Sequence, residues 1–402
     1  MHAEVISIGD EMTSGQRLDT NCQWLSQQLA DLGVRTLYHT TVGDDLAANV
    51  RVFREAADRA DIVIATGGLG PTADDLTRQV VADVMGVELV MQQEALDHIK
   101  SLFARRKRPM PDRNVIQAMF PRGSRVVPNP HGTAPGINAD LPRADGSTAR
   151  LFCLPGVPAE MKEMFAATVA PTLLSLLGPH AQPIFHRVIR CFGVGESDLE
   201  AMLPDLIQRG RDPIVGITVS QATLSLRIST TAKTRAEADQ KMEPTVQTIR
   251  DCLGSIIFGE GEDELPDALA RLLSERGETL ATLECGPGGM VAHWLSTATA
   301  GTNVYAGGSV VRRKIDNEAE TLRALAQSTR EQFQTDYALA IGPFPPAPVA
   351  GGEPGTVWFG LADANGAYAR SAMYAGHPDL LHQLTAKRAL HWLRLHLLGE
   401  TP

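Results

Sequence analysis

Residues 61–78 constrain the fold of this chain more than any other stretch of its sequence. They begin with a short apolar, β-branched run, which predicts a buried strand. Glycines and a proline at 67–71 end that strand, and Thr72, Asp74 and Asp75 are expected to open a helix. Because glycines let backbone N–H groups approach a phosphate and a helix N-terminus favours negative charge, the stretch predicts an oxyanion site.

Two adjacent carboxylates, Asp74 and Asp75, lie beside this predicted oxyanion site. They would repel a phosphate unless a divalent cation lay between them, and oxygen ligands suit such a cation. The alternative is an ordinary glycine-rich turn with two solvated capping aspartates, since a glycine turn is weak evidence by itself. This stretch alone leaves both interpretations open.

Strands and helices alternate through the first part of the chain. Strands are predicted at 3–8, 34–41 and 61–66, with helices at 19–32 and 49–60 between them. This spacing predicts βαβ units and a mostly parallel sheet, in which ligands bind beyond the carboxyl ends of the strands. Four acidic residues follow such ends and are candidates for one site: Asp10, Glu11, Asp74 and Asp75.

Length, charge and cysteine content exclude several classes of protein. A chain of 402 residues is too long for one core, so two or three domains are expected. The formal net charge of −10 argues against broad electrostatic binding to nucleic acid or anionic lipid. No signal peptide and no apolar run of roughly 20 residues is recognisable, so we expect no membrane span. Five scattered cysteines without a CxxC pair predict a reducing cytoplasm and no zinc site.

Five segments together carry a resemblance to a known family. They are S-I-G-D-E-M (7–12), D-T-N (19–21), G-G-L-G-P-T-A-D-D-L-T (67–77), N-P-H-G-T-A-P-G (129–136) and L-P-G-V-P-A-E-M (154–161). In this order they resemble the CinA family and, more loosely, the MogA/MoaB molybdopterin-binding fold. One departure is Ile116, where the family usually has a lysine.

The resemblance implies an α/β chain of three domains. Residues 1–170 would form a three-layer α/β/α sheet domain like that of MogA/MoaB. Residues 171–262 would form a small α+β, KH-like middle domain, and residues 263–402 a C-terminal α/β domain of the CinA type. No GxxG occurs in 185–262, so direct nucleic-acid binding is not expected, and a spacer or dimer element is favoured.

The activity implied by the resemblance is a metal-dependent ADP-ribose pyrophosphatase in the first domain. The divalent metal would be Mg, Mn or Co, with Asp10, Asp74 and Asp75 as ligands. These three and Glu11 are the candidate catalytic residues, and Asp75 falls on the conserved aspartate of the molybdopterin-binding motif. Candidate phosphate and nucleotide contacts are Gly67, Gly68, Gly70, Thr72, Gly132, Thr133 and Gly156.

The C-terminal domain resembles nicotinamide mononucleotide deamidases, but its motif has degenerated. Relatives carry Glu-Ser-Cys-Thr-Gly-Gly where this chain has Glu284-Cys285-Gly286-Pro287-Gly288-Gly289. Arg312 and Asn317 replace the expected tyrosine and lysine, so we expect deamidation to be lost. Cys285 at a helix N-terminus is a possible nucleophile, but a small inert side chain is the favoured interpretation. Arg312 or Arg313 could still favour a phosphate.

Three functions remain open at the level of the sequence. The first is the cytoplasmic pyrophosphatase, expected to be a homodimer. The second is a protein that binds a pterin or nucleotide without turnover. The third is a scaffold that meets a DNA-repair or competence protein through its degenerate C-terminal domain.

Overall fold

The computed structural model describes residues 1–178, 182–203, 205–208, 210–312, 314–346 and 353–400. By its internal contacts the chain forms two units. One comprises residues 1–185 and 231–238, and the other comprises residues 186–230 and 239–402. Among the described residues, no helix has the length and apolar character needed to cross a bilayer.

The first unit is built on a six-stranded sheet in the order β2–β1–β3–β8–β7–β6, with β4 and β5 paired separately. The first four strands of that order run parallel, while β7 and β6 are antiparallel to their neighbours, which confirms the predicted mostly parallel sheet. The strands are β1 His2–Ile8, β2 Arg35–Val42, β3 Ile62–Thr66, β4 Leu89–Met91, β5 Met119–Pro121, β6 Arg125–Val127, β7 Gly136–Pro142 and β8 Thr148–Leu154.

Helices cover both faces of this sheet, as the three-layer prediction requires. All five residues of β3 are buried, and successive side chains enter opposite cores: Val63 one core, Ile64 the other. The helices are α1 Asp10–Thr13, α2 Thr20–Asp31, α3 Leu46–Arg59, α4 Thr77–Met85, α5 Gln93–Arg105, α6 Pro158–Met164 and α7 Ala170–Leu177. A 3₁₀ helix spans Asp112–Ala118, and a π-helical turn spans Phe165–Val169.

The predicted start of α4 is wrong. The helix begins at Thr77, and Asp74 and Asp75 belong to the preceding loop. The carboxylate of Asp75 accepts hydrogen bonds from the N–H groups of Gly70 and Thr72, which closes a turn instead of capping a helix. By contrast, the side chain of Asp19 caps α2 as predicted, accepting from the Cys22 N–H at 2.9 Å.

The middle part of the chain forms an antiparallel sheet in the order β10–β11–β9–β12. Its elements are β9 Ile184–Cys191, α8 Glu196–Met202, β10 Ile214–Ser220, β11 Thr223–Thr231, α9 Arg235–Leu253 and β12 Ile257–Glu260. The alternating run at 218–230 predicts one half-buried strand, and this prediction is wrong, because the chain reverses at Gln221 and Ala222, whose φ angles are 47° and 62°. Neither residue is a usual turn former, so no turn signal marks this reversal.

The C-terminal part forms a five-stranded sheet in the order β14–β13–β15–β16–β17. The first three strands are parallel and the last two antiparallel. Its elements are α10 Leu265–Arg276, β13 Leu280–Glu284, α11 Met290–Ala298, β14 Tyr305–Val310, α12 Ala319–Phe333, β15 Tyr337–Ile341, β16 Gly355–Asp363, β17 Gly366–Tyr374 and α13 Pro378–Leu397. Within the second unit, buried Lys387 of α13 donates to Glu264 at 2.7 Å and to Thr223 at 2.6 Å.

Candidate functional site

A cavity of about 550 Å³ lies at the carboxyl ends of β1, β3 and β8 in the first unit. This is where the parallel-sheet argument predicts a ligand site. Eight of the predicted site residues line it: Glu11, Asp74, Asp75, Gly67, Gly68, Gly70, Thr133 and Gly156. Three others do not line it: Asp10, Thr72 and Gly132.

Asp75 holds the glycine-rich loop in shape. Its Oδ1 accepts from the Gly70 N–H at 2.7 Å, and its Oδ2 accepts from the Thr72 N–H at 2.9 Å. The Thr72 hydroxyl also donates to Oδ2. Both carboxylate oxygens are therefore engaged within the loop, so Asp75 acts first as a clamp on the backbone that would face a ligand.

Arg78 and Gln117 also stabilise the glycine-rich loop, by donating hydrogen bonds to its carbonyl oxygens. Arg78 is 2% exposed and donates to the carbonyl oxygens of Leu69 at 2.5 Å and Gly70 at 3.2 Å, while Gln117 donates to Leu69 at 3.3 Å. Burial lowers the pKa of Arg78 to about 10, and the nearby charge of Asp75 opposes that shift. Neither side chain was predicted from the sequence to contribute to the site.

At two positions of the loop only glycine fits, because a Cβ atom would clash with a neighbouring atom. Gly67 has φ +110°, and a Cβ there would lie 2.3 Å from the carbonyl oxygen of Ile8. Gly68 has φ +64°, and its Cβ would lie 2.3 Å from Oγ1 of Thr77. The loop consequently passes close to the end of β1 and the start of α4.

Asp44 also lines the cavity and was not predicted from the sequence. Asp44 follows β2 and exchanges hydrogen bonds with Asp10: each backbone N–H donates to the other carboxylate at 3.1 Å. Burial raises the pKa of Asp44, and the negative charges of Asp10, Asp74 and Glu11 raise it further. The rule that identified Asp10 and Glu11, position after a parallel strand, also applies to Asp44 and would have found it.

Asp74 is exposed, and the neighbouring Thr72 hydroxyl lowers its pKa. Across the described ranges, no group of three or more His, Cys, Asp or Glu side chains could hold a metal ion. The predicted ligands Asp10, Asp74 and Asp75 thus do not form a ready-made site. Their oxygen donors still suit a hard cation, but most of its ligands would have to come from diphosphate oxygens and water.

Side chains from α2 and α6 also line the cavity. Glu160 accepts from the side-chain amide of Asn129 at 2.7 Å, and Asn129 accepts from the Gly132 N–H at 2.8 Å. A Cβ on Gly132 would lie 2.2 Å from Glu160, so this glycine permits close packing against α6. Asn21 donates to the Gly156 carbonyl at 3.0 Å. Glu160 and Asn21 line the cavity and were not predicted.

The degenerate C-terminal motif forms a helix cap. Fully buried Glu284 accepts from the N–H groups of Gly289 at 3.0 Å, Val291 at 3.2 Å and Ala292 at 2.6 Å. Gly288 and Gly289 have φ of +69° and +99°. Three backbone donors at the start of α11 are thereby satisfied by Glu284.

The residues beside this motif also have structural partners. The backbone N–H of Cys285 donates to Ile341 at 2.9 Å. The Asn317 side chain donates to Thr356 at 2.6 Å and accepts from the Trp358 N–H at 3.1 Å, which ties it to β16. Arg313, named above as a possible phosphate contact, lies outside the described residues.

Three family models match the chain. "Probable molybdopterin binding domain" matches residues 4–175, "Damage-inducible protein CinA KH domain" matches 186–259, and "CinA C-terminal domain" matches 312–397. These matches agree with a MogA/MoaB-like first domain, a KH-like middle domain and a CinA-type C-terminal domain.

Similar proteins span the whole chain. A CinA-like protein of Dictyoglomus thermophilum is 35% identical over 99% of this chain and 100% of its own length. A relative from Symbiobacterium thermophilum, whose name describes a competence-damage inducible protein, is 37% identical over 99% of both chains. A crystal structure of a CinA protein of unknown function from Thermoplasma acidophilum is 32% identical, covers 42% of this chain and 96% of its own, and has a TM-score of 0.38.

Proposed function

The chain belongs to the CinA family, and on that premise we propose that the cavity of its first unit hydrolyses ADP-ribose with a divalent metal. The observation that carries the proposal is that carboxylates and a glycine-rich loop line the same cavity. Glu11, Asp44 and Asp74 line it together with the loop at residues 67–70, whose backbone is held in place by Asp75. Such a lining suits a diphosphate bound through a cation near the carboxylates and through backbone N–H groups of the loop.

Among the described residues, no three of these carboxylates form a ready-made metal group, so Glu11, Asp44 and Asp74 would hold the ion mainly through its bound water. When bound, a divalent ion neutralises diphosphate charge and makes a bound water more acidic. We assign Asp44 the role of general base, because it lines the cavity and its position is fixed by reciprocal hydrogen bonds with Asp10. In the reaction one bond forms from water oxygen to phosphorus, one phosphorus–oxygen bond of the diphosphate breaks, and the water proton goes to Asp44.

Arg17 also lines the cavity and supplies a positive charge to a lining that is otherwise acidic. We propose that it pairs with the diphosphate, since a guanidinium matches the geometry of phosphate oxygens. Gly156 leaves room on the far side: a Cβ there would meet only the Gly67 Cα, at 3.7 Å. This space would accept one of the two ribose groups.

The test is incubation of the full chain with ADP-ribose and Mg²⁺, Mn²⁺ or Co²⁺, followed by measurement of AMP. We expect AMP release that a chelator abolishes and that Asp74→Asn reduces by orders of magnitude. Asp97→Asn is the matched control, because Asp97 is an exposed aspartate on α5 that does not line the cavity. AMP release that survives exhaustive chelation would refute the metal-assisted reaction.

One observation favours a second function, the binding of a pterin or nucleotide without turnover. Asp10 and Asp75 already have hydrogen-bond partners, and the described residues include no three-donor metal group. Tight ADP-ribose binding with no AMP release under any of the three metals would support this function. We also propose that the protein is cytoplasmic and forms a homodimer. A DNA-repair or competence protein is the proposed partner of its C-terminal domain.

A further inference from the structure

A second cavity, of about 640 Å³, lies within the second unit and has no part in the proposed reaction. One wall is formed by β17 and α13, and the other by the Phe192–Gly195 loop and the β10–β11 turn. None of its lining residues belongs to the degenerate 284–289 motif. Its volume falls in the range of small-molecule sites.

Two arginines in this cavity lack acidic partners. Arg388 is half-buried and donates to the Met373 carbonyl at 2.6 Å, while Arg370 is exposed. Throughout the described chain, no carboxylate oxygen lies within 4 Å of either guanidinium, although both groups line the cavity. Burial lowers the pKa of Arg388 with no acidic group opposing the shift. A partly buried cation without a counter-charge is costly, and a bound anion would remove that cost.

The rest of the lining is apolar and aromatic. Phe359 and Trp392 are buried at its base, and the ring of His391 packs against Phe192 with centroids 5.3 Å apart. Burial lowers the pKa of His391 to about 4, so its ring is neutral at pH 7. Gly193, at φ +108°, lets the loop approach, since a Cβ would lie 3.0 Å from His391. These surfaces suit a planar ring.

The remaining charged residue of the lining is Asp198, which is exposed on α8. With Arg370 and Arg388 it leaves a net charge of about +1 in the cavity, which favours a ligand with one small anionic group. From this geometry we infer that the cavity binds a small anion, a carboxylate or a phosphate monoester, attached to a planar apolar ring. Arg388 and Arg370 hold the anionic group, and Trp392, Phe359 and Phe192 surround the ring.

The test is calorimetric titration of the full chain with benzoate, phenyl phosphate and benzamide. Benzamide has the ring of benzoate without its charge. We expect at least one of the two anions to bind, and benzamide to bind at least about tenfold more weakly. If benzoate binds and phenyl phosphate does not, the natural ligand is a carboxylate, and the reverse result makes it a phosphate ester.

Arg388→Gln and Arg370→Gln should each weaken binding of the anion at least about tenfold. Arg323→Gln is the matched control, because Arg323 lies on α12 outside the cavity, its side chain is 43% exposed, and it pairs only with Glu320 among the described residues. Arg370 is exposed, so its variant keeps the test valid if Arg388→Gln does not fold. The inference is overturned if neither anion binds, if benzamide binds as well as benzoate, or if Arg370→Gln binds like the wild type.

Discussion

Replacing Asp75 by asparagine should damage the glycine-rich loop before it affects any chemistry. In the native protein one oxygen accepts from Gly70 and the other from Thr72. Asparagine keeps one acceptor and adds an amide donor, so one backbone N–H must face another donor. Each orphaned N–H costs about 1–3 kcal/mol, and a bond to a charged acceptor is at the upper end of that range. We expect a loss of about 2 kcal/mol in the free energy of unfolding of the first unit.

The measurement is thermal unfolding together with hydrogen exchange at the Gly70 and Thr72 amides. At roughly 2–4 °C per kcal/mol for a domain of this size, Asp75→Asn should lower Tm by several degrees and speed exchange at both amides. Asp74 is the neighbouring residue and its side chain is exposed. Asp74→Asn removes the same charge and should leave the Tm and the two exchange rates nearly unchanged. Equal Tm values and equal exchange rates for the two variants would refute the clamp.

Three further outcomes are expected. Gly68→Ala should destabilise more than Gly146→Ala, because both positions have positive φ but only the first Cβ would meet a neighbour, Thr77, at 2.3 Å; equal Tm losses would contradict this. Because burial lowers the pKa of His391 from 6.5 to about 4, its contribution to the free energy of unfolding should be fully present above pH 6.5 and be lost, by up to ~3 kcal/mol, towards pH 4. His391→Gln should flatten that fall in urea titrations, and an unchanged slope would argue against it. Nicotinamide mononucleotide should release no ammonia with the wild type, whereas release that disappears in Cys285→Ala would restore that thiol as a nucleophile.

The architecture of the first unit followed from local pattern. The β-branched run at 61–66 and the helical spacing of apolar residues after Asp19 give strands and helices in strict alternation, and that order leaves few folds. Local pattern failed where a turn is made by residues that usually do not form one. Gln221 and Ala222 adopt left-handed φ angles because the antiparallel register of β10 and β11 requires a two-residue reversal there.

The roles of the acidic residues depended on which backbone groups their carboxylates contact, within one loop or between two loops. Sequence position correctly brought Glu11 and Asp74 to one cavity, because both follow parallel strands. It could not show that Asp75 is engaged by Gly70 and Thr72, nor that Asp10 pairs with Asp44. A one-dimensional pattern records the residue type and the end of a strand, but not the direction of a side chain within a loop.

The sequence by itself determined three things: the alternation of strands and helices along the first unit, the positions of the glycine-rich loops, and the family. These depend on periodicity, on backbone freedom and on matched motifs. Only the tertiary structure decided which polar side chains face a ligand and which hold the backbone. Glu284, which the sequence marks as part of a catalytic motif, is fully buried and caps α11. Arg388, which the sequence does not mark at all, lines a cavity without an acidic partner in the described chain. Burial depends on which elements pack together, and the partners of a side chain depend on the path of the loops around it, so residue type and spacing alone do not encode either.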